Sequence, residues 1–343
     1  MQQIRILLIV VGCFIFANTT FAQSSCVQNL REARNFYDEG KLNELPKLLL
    51  KCIDNGFTDE EKVEALRLVT LSYLFNEEQN KAEESFLRLL KIDPEYQIDL
   101  DSDPTELVIL AENFETDAKF FYGLKFTGSF NFIQILENND NYNLSSSGTY
   151  DPPLGIGVGL FFQYPINDEF SANAEIHYNY RTTLLKRATV TAEGNSSGDH
   201  EITEMQQWLE LPFLLNYKLP FFNQFLLEAT GGPSFHYLLS SELSVRGVGT
   251  EIIDLDMINY RNLLNVSAII GVRGNFKVLG RNYITVEALY QHRFIEEKNE
   301  NVETEELKLI LKDAAYADNQ YKGHAFILRL GFRFPRFNPE LKK

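Results

Sequence analysis

Five histidines carry the side chains best suited to chemistry near neutral pH: His177, His200, His236, His292 and His324. None falls into a His-x-x-x-His or other metal-ligand spacing, so neither a metal nor a cofactor is expected. His236 has Ser234, Ser240 and Ser241 close by in sequence. Serine, histidine and an acidic group together can cleave an ester. A lipid A-directed hydrolase is therefore one functional reading, the third in order. Each histidine is read first as an ordinary strand residue, and no catalytic residue is assigned. Ten charges offer chemistry of another kind: Lys125, Glu175, Arg181, Glu210, Glu228, Arg273, Glu287, Arg293, Arg329 and Arg333. They share one face of alternating segments and carry both signs. Enclosed in a narrow tube, such charges must be paired, so a lumen ion-pair network is expected.

The elements that would hold them begin near Phe120, where the apolar pattern changes to a period of two. Leu154, Ile156, Val158, Leu160 and Phe162 alternate with Gly155, Gly157, Gly159 and Gln163. Phe326, Leu328, Leu330, Phe332 and Phe334 alternate with Ile327, Arg329, Gly331 and Arg333. Segments 172–181 and 284–291 alternate in the same way, and further strands are placed at about 120–135, 206–221, 225–241 and 262–279. Successive strand residues point to opposite faces, which gives eight two-faced strands. The connections alternate in length: long ones at about 136–153, 189–205, 242–261 and 296–321, short ones at 165–168, 222–224 and 280–282. That alternation marks an up-and-down membrane barrel, with short turns toward the periplasm and long loops outside. Aromatic residues gather near strand ends, as in Phe120-Phe121-Tyr122 and Phe332, Phe334 and Phe337, where membrane boundaries hold aromatic belts. The fourth long loop is rich in Glu and Asp and is read as solvated surface.

Ahead of the strands the pattern is helical. Arg5 and the apolar run from Ile6 to Ala17, followed by Phe21-Ala22-Gln23, have the parts of a secretory signal over residues 1–22. From Val27 to about Lys119 two helical hairpins and a further helix after Asp103-Pro104 are expected. Cys26 and Cys52 occupy the two ends that an antiparallel hairpin brings together, and export permits a disulfide between them. The net charge of −16 argues against a nucleic-acid partner.

Two likenesses sharpen this reading. Leu66, Tyr73, Ala82, Phe86 and Pro94 fall on the spacing of a tetratricopeptide repeat, with Thr70 where the repeat usually has Gly. Trp208-Leu209-Glu210-Leu211-Pro212-Phe213-Leu214-Leu215-Asn216-Tyr217 resembles the EIPLLLKY strand of the PorT-like outer-membrane β-barrel family of Bacteroidota. Gly231-Gly232-Pro233-Ser234-Phe235-His236-Tyr237-Leu238-Leu239 resembles that family's following strand, and Phe21-Ala22-Gln23 is similar to signal cleavage regions common in that phylum. The likeness spans about 120–337. It departs at the end, where the chain runs past Phe337 to Lys343.

The expected fold class is α+β multidomain: N-terminal TPR-like helical hairpins (26–118), an eight-stranded antiparallel up-and-down transmembrane β-barrel (119–337) and a C-terminal tail (338–343). The resemblance implies an outer-membrane location and some kinship with secretion or gliding machinery. The leading functional expectation is a non-enzymatic barrel that anchors the periplasmic helices for protein–protein interaction in an envelope complex. Its expected partners are outer-membrane lipid and, through residues 26–118, periplasmic or outer-membrane proteins. A narrow channel or ligand-binding barrel is the alternative.

Overall fold

The computed structural model describes residues 19–99, 103–137, 149–151, 154–190, 196–220, 226–246, 253–278, 280–299, 302 and 319–342. The expected leader lies outside them except for its last four residues. The chain divides into two compact units: one holds residues up to Ala118 together with Phe337–Lys343, the other Lys119–Arg336.

The first unit is helical, with α1 (Thr19–Asp38), α2 (Leu45–Asp54), α3 (Asp59–Phe75), α4 (Gln79–Ile92) and α5 (Thr105–Glu112). Its core is a continuous apolar cluster that includes Leu30, Leu45, Leu49, Leu66, Val69, Phe86, Leu89, Leu107 and Leu110. Helix α3 starts at a capping box. The Thr58 hydroxyl accepts from the Glu61 amide, and the Glu61 carboxylate accepts from the Thr58 amide, so two otherwise unpaired donors are satisfied. Gly40, with φ +73°, turns the chain between α1 and α2. Arg67 of α3 reaches the buried Asp103 before α5, donating from Nε at 2.9 Å. Among the described residues no helix is long and apolar enough to cross a membrane.

Cys26 and Cys52 are joined by a disulfide, with their Cα atoms 5.6 Å apart. Gly56 lies against it. A Cβ there would come within 2.7 Å of Cys26 Sγ, and its φ of +150° suits only glycine. Residues 338–343, expected as a C-terminal tail, belong to this unit. Strand β12 (Glu340–Leu341) pairs with β1 (Phe114–Glu115), and Lys342 donates its amide to Asn113 O at 2.7 Å and its Nζ to Glu112 O at 2.8 Å. Pairing of two residues with two leaves no periodicity for a sequence reading to detect.

The second unit is a closed antiparallel ring. Its long strands are β2 (Ala118–Glu137), β4 (Leu154–Pro165), β5 (Phe170–Val190), β6 (Ser196–Leu219), β7 (Leu226–Arg246), β9 (Leu264–Lys277), β10 (Tyr283–Arg293) and β11 (Gln320–Phe337). Each neighbours the next in sequence, and β2 neighbours β11, so the ring has eight strands and no open edge. Two short pieces lie outside the ring: β3 (Thr149–Asp151) pairs with β5, and β8 (Ile253–Asp256) with β7. At the turn from β4 to β5, Asn167 Oδ1 accepts from the Glu169 and Phe170 amides. Gly280, at φ +57°, serves the turn from β9 to β10. The expected turn Phe222-Asn223-Gln224 lies outside the described residues.

Two expected loops contain strand among their described residues. Over 189–205, β5 and β6 continue as a paired hairpin from Lys186↔Glu201 to Thr189↔Gly198. Over 242–261, β7 runs to Arg246 and pairs with β8. Among the described side chains of these extensions, Leu185, Ile202, Leu243, Val245 and Met257 form a small apolar cluster.

If the disulfide braces the helical unit, Cys52→Ser should lower that unit's stability by about 2–4 kcal/mol, read as loss of helical ellipticity in urea on the full chain in micelles. Gly56→Ala should destabilise the wild type but add less in the Cys52→Ser background, where Cys26 Sγ can move aside.

Candidate functional site

The ring is inverted relative to a soluble protein. Ile156 and Ile270 are 67% exposed, whereas Lys125, His177 and Glu287 are 0% exposed. The exposed rows Leu154, Ile156, Val158, Leu160 and Phe162 on β4, and Phe326, Leu328, Leu330 and Phe332 on β11, form the outer wall. Aromatic pairs sit toward both ends, Phe120–Phe162 (5.2 Å) and Tyr122–Phe334 (5.7 Å) at one and Phe132–Phe326 (5.6 Å) at the other.

Strand register assembles the interior. Glu228 lies opposite Arg273, Arg273 opposite Glu287 and Glu287 opposite Arg329, so the charge alternates around four neighbouring strands. Opposite charges placed directly across a strand pair attract. Lys125 joins from β2, contacting Glu175 and lying 2.6 Å from Glu287. Glu175 also accepts from Arg329 Nη1 at 2.8 Å and meets His177 Nε2 at 2.7 Å. Space for these side chains comes from β4. A Cβ on Gly157 would meet Asn179 Oδ1 at 1.8 Å, and one on Gly159 would meet His177 Nδ1 at 2.3 Å.

A second cluster lies toward the long loops. Glu210 pairs with Arg181 and lies 4.0 Å from Arg293, which also pairs with Glu297. Both arginines stack on Trp208, at 5.3 and 5.4 Å from its ring. Beyond it, Arg261 Nε donates to Glu204 at 2.7 Å, and Ser241 Oγ donates to the same carboxylate at 2.8 Å. Tyr321 OH lies 3.4 Å from Glu297 and 3.5 Å from Glu204. Glu297 was read with the solvated loop, yet it is buried, and that burial pushes its carboxyl above the usual carboxylate range.

Nine of the ten charges expected in the lumen network take part in these pairs. Arg333 is buried in the lumen but has no carboxylate in ion-pair distance among the described residues. It lies 3.6 Å from the Phe121 ring and 5.6 Å from that of Tyr283. It occupies the short-turn end of β11, where the neighbouring inward residues are aromatic. Sequence reasoning did not single out Trp208, Glu204, Arg261, His177 and Tyr321 as interior residues. Glu204 and Trp208 continue the alternation that ends at Glu210 and were detectable by it. Arg261 lies outside any strand and gave no periodic signal.

The interior also holds a serine–histidine–carboxylate alignment. Ser267 Oγ lies 2.7 Å from His236 Nε2, and His236 Nδ1 lies 3.1 Å from Glu210 Oε1. This is the order of groups in a serine hydrolase. All three are at most 1% exposed, and Glu210 is committed to arginines. Ser240 lies opposite Gln207 in strand register, and Ser241 donates to Glu204, so neither meets His236.

A closed antiparallel ring with an apolar exterior and a paired, charged interior defines an outer-membrane β-barrel. Residues 117–299 match the family model described as outer membrane protein beta-barrel domain, and the chain belongs to that family and to the outer membrane. Among solved structures it is similar to the outer membrane protein OprG from Pseudomonas aeruginosa, at 10% identity over 64% of this chain and 95% of that one, TM-score 0.34. It is also similar to Ail, the attachment invasion locus protein of Yersinia pestis, at 10% identity over 63% of this chain and 99% of that one, TM-score 0.27. Neisserial surface protein A is similar at 13% identity over 62% and 95%, TM-score 0.27. No curated protein matches the chain.

Removing one member of the buried network should leave its partners uncompensated. Glu175→Gln is expected to cost about 3–5 kcal/mol in urea unfolding of the vesicle-inserted barrel. Glu64→Gln, at the exposed pair with Arg34, should change helical-unit stability by less than about 1 kcal/mol.

Proposed function

We propose that this protein is a non-enzymatic outer-membrane anchor whose barrel holds a periplasmic, TPR-like helical domain for protein–protein interaction in an envelope complex. The observation that carries the reading is the pairing of a side-chain-filled lumen with a helical unit that has its own core. A barrel occupied by its own ion pairs favours holding over transport. The helical unit enters the ring at β2 on the short-turn side, and short turns of bacterial barrels face the periplasm.

The TPR-like reading draws support from the α3–α4 hairpin. Leu66, Ala82, Phe86 and Pro94 are buried in it and Tyr73 is half-buried, as the repeat's packing positions require. Thr70 fills the usual glycine position by turning its hydroxyl back to Leu66 O at 2.8 Å. Phe75 and Ile109 stand 64% and 57% exposed on this unit and offer apolar contact to a partner. The likeness to PorT-like proteins of Bacteroidota points to secretion, gliding or outer-membrane assembly machinery. A hydrolase built on Ser267 and His236 is the reading that geometry alone would favour second. The burial of all three groups weighs against it.

A photo-crosslinking residue at Phe75 or Ile109 should capture an envelope protein in cells, and deletion of 26–110 should leave an inserted barrel that loses its co-purifying partners. Partners retained in full after the deletion would overturn the reading. The narrow-channel alternative separates cleanly: purified protein in planar bilayers should show no discrete single-channel currents, and stable unitary conductance would favour transport.

A further inference from the structure

We propose that His292 and His324 form a two-imidazole site for a divalent transition metal, Cu(II) or Ni(II), on the outer wall of the barrel near its long-loop end. The residues are 32 positions apart in sequence and show no metal-ligand spacing. Strand pairing nevertheless sets them directly opposite each other on β10 and β11. Their Nδ1 atoms are 2.8 Å apart. Both side chains are half-buried on the outward face of the ring.

The surroundings aim the two nitrogens. His324 Nε2 donates to Gln134 Oε1 at 3.0 Å, which leaves His324 Nδ1 without a hydrogen, so its lone pair accepts from His292 Nδ1 at 2.8 Å and can be given to a metal instead. Hydrogen bonds to the far nitrogen of a metal-binding imidazole fix its tautomer and orientation in this way. Tyr290 stacks parallel to His324, with 8° between the ring planes, and its hydroxyl lies 3.2 Å from the same Nδ1. Phe294 packs edge-on against His292 at 5.1 Å.

Spacing selects the coordination geometry. With metal–nitrogen bonds of about 2.0–2.1 Å, two nitrogens at a right angle stand about 2.9 Å apart, and two in a tetrahedron about 3.3 Å. The observed separation suits the right angle, hence the tetragonal N,O geometry of Cu(II) and Ni(II) rather than tetrahedral zinc. The Tyr290 hydroxyl is placed to supply an oxygen donor, and water would complete the set. On binding, the proton that His292 Nδ1 would otherwise share moves to its own Nε2, so both imidazoles remain neutral and no oxidant or reductant is required.

Untagged full-length protein in detergent micelles, titrated with Cu(II) at neutral pH, tests the site by calorimetry and electron paramagnetic resonance. One Cu(II) per chain is expected, with splitting from two imidazole nitrogens. His292→Ala and His324→Ala should each weaken binding about tenfold or more, and Gln134→Leu should weaken it by a similar factor without changing the stoichiometry. His200→Ala should leave binding unchanged. Retained heat-shifted gel mobility would show that each variant still folds. Equal Cu(II) binding by wild type and by the His292→Ala/His324→Ala double variant, or a spectrum without two-nitrogen splitting, would overturn the site.

Discussion

Closure of the ring between β2 and β11 is the constraint on which the rest of this molecule depends. In a hydrocarbon medium no water is available to satisfy a strand's unpaired amides and carbonyls, and each exposed group costs several kcal/mol. A sheet with an edge therefore cannot span the membrane. Once β2 and β11 are neighbours, every strand has two partners and the two faces become inside and outside. The same alternation that would place Leu154 to Phe162 in the core of a soluble sandwich places them on a lipid-facing wall.

Closure also creates the interior problem that the lumen residues solve. Eight strands enclose a space that side chains can just fill, and the groups facing it include arginines, a lysine and glutamates. Isolated, each would be costly to bury. In register, Glu228, Arg273, Glu287 and Arg329 alternate in sign, and Lys125 and Glu175 cross the lumen to join them. The glycines of β4 belong to the same solution. At Gly157 and Gly159 a β5 side chain, and at Gly155 the Ser129 hydroxyl of β2, fills the space that a Cβ would occupy. Arg333, at the short-turn end, lies against the rings of Phe121 and Tyr283, with no carboxylate in ion-pair distance among the described residues.

The helical unit follows different physics. It has a water-type core, an N-terminal capping box and a disulfide, as an exported domain of about a hundred residues permits. Its sequence is interrupted by the whole barrel, because β12 returns to pair with β1. Two covalent links, one before Lys119 and one at Phe337, therefore join the units, and the last residues of the chain contribute to a domain built mainly from the first third.

Much of this was legible in the amino-acid order. The two-residue rhythm after Phe120, the eight strands and the inward face of Lys125, Glu175, Glu287 and Arg329 follow from local alternation, because side-chain direction in a strand is a local property. The helices around Leu66 and Phe86 follow from their periodicity for the same reason. What the order of residues could not convey was partnership. Which glutamate meets which arginine, that Glu297 turns inward, that Ser267 meets His236, and that His292 faces His324 all depend on register between strands distant in sequence. The extension of β5 and β6 through a polar segment depends on their pairing with each other. Sequence determined which way each side chain points along its own strand; only the closed tertiary structure decided what it points at, because register and closure are set jointly by all eight strands and encoded in none of them alone.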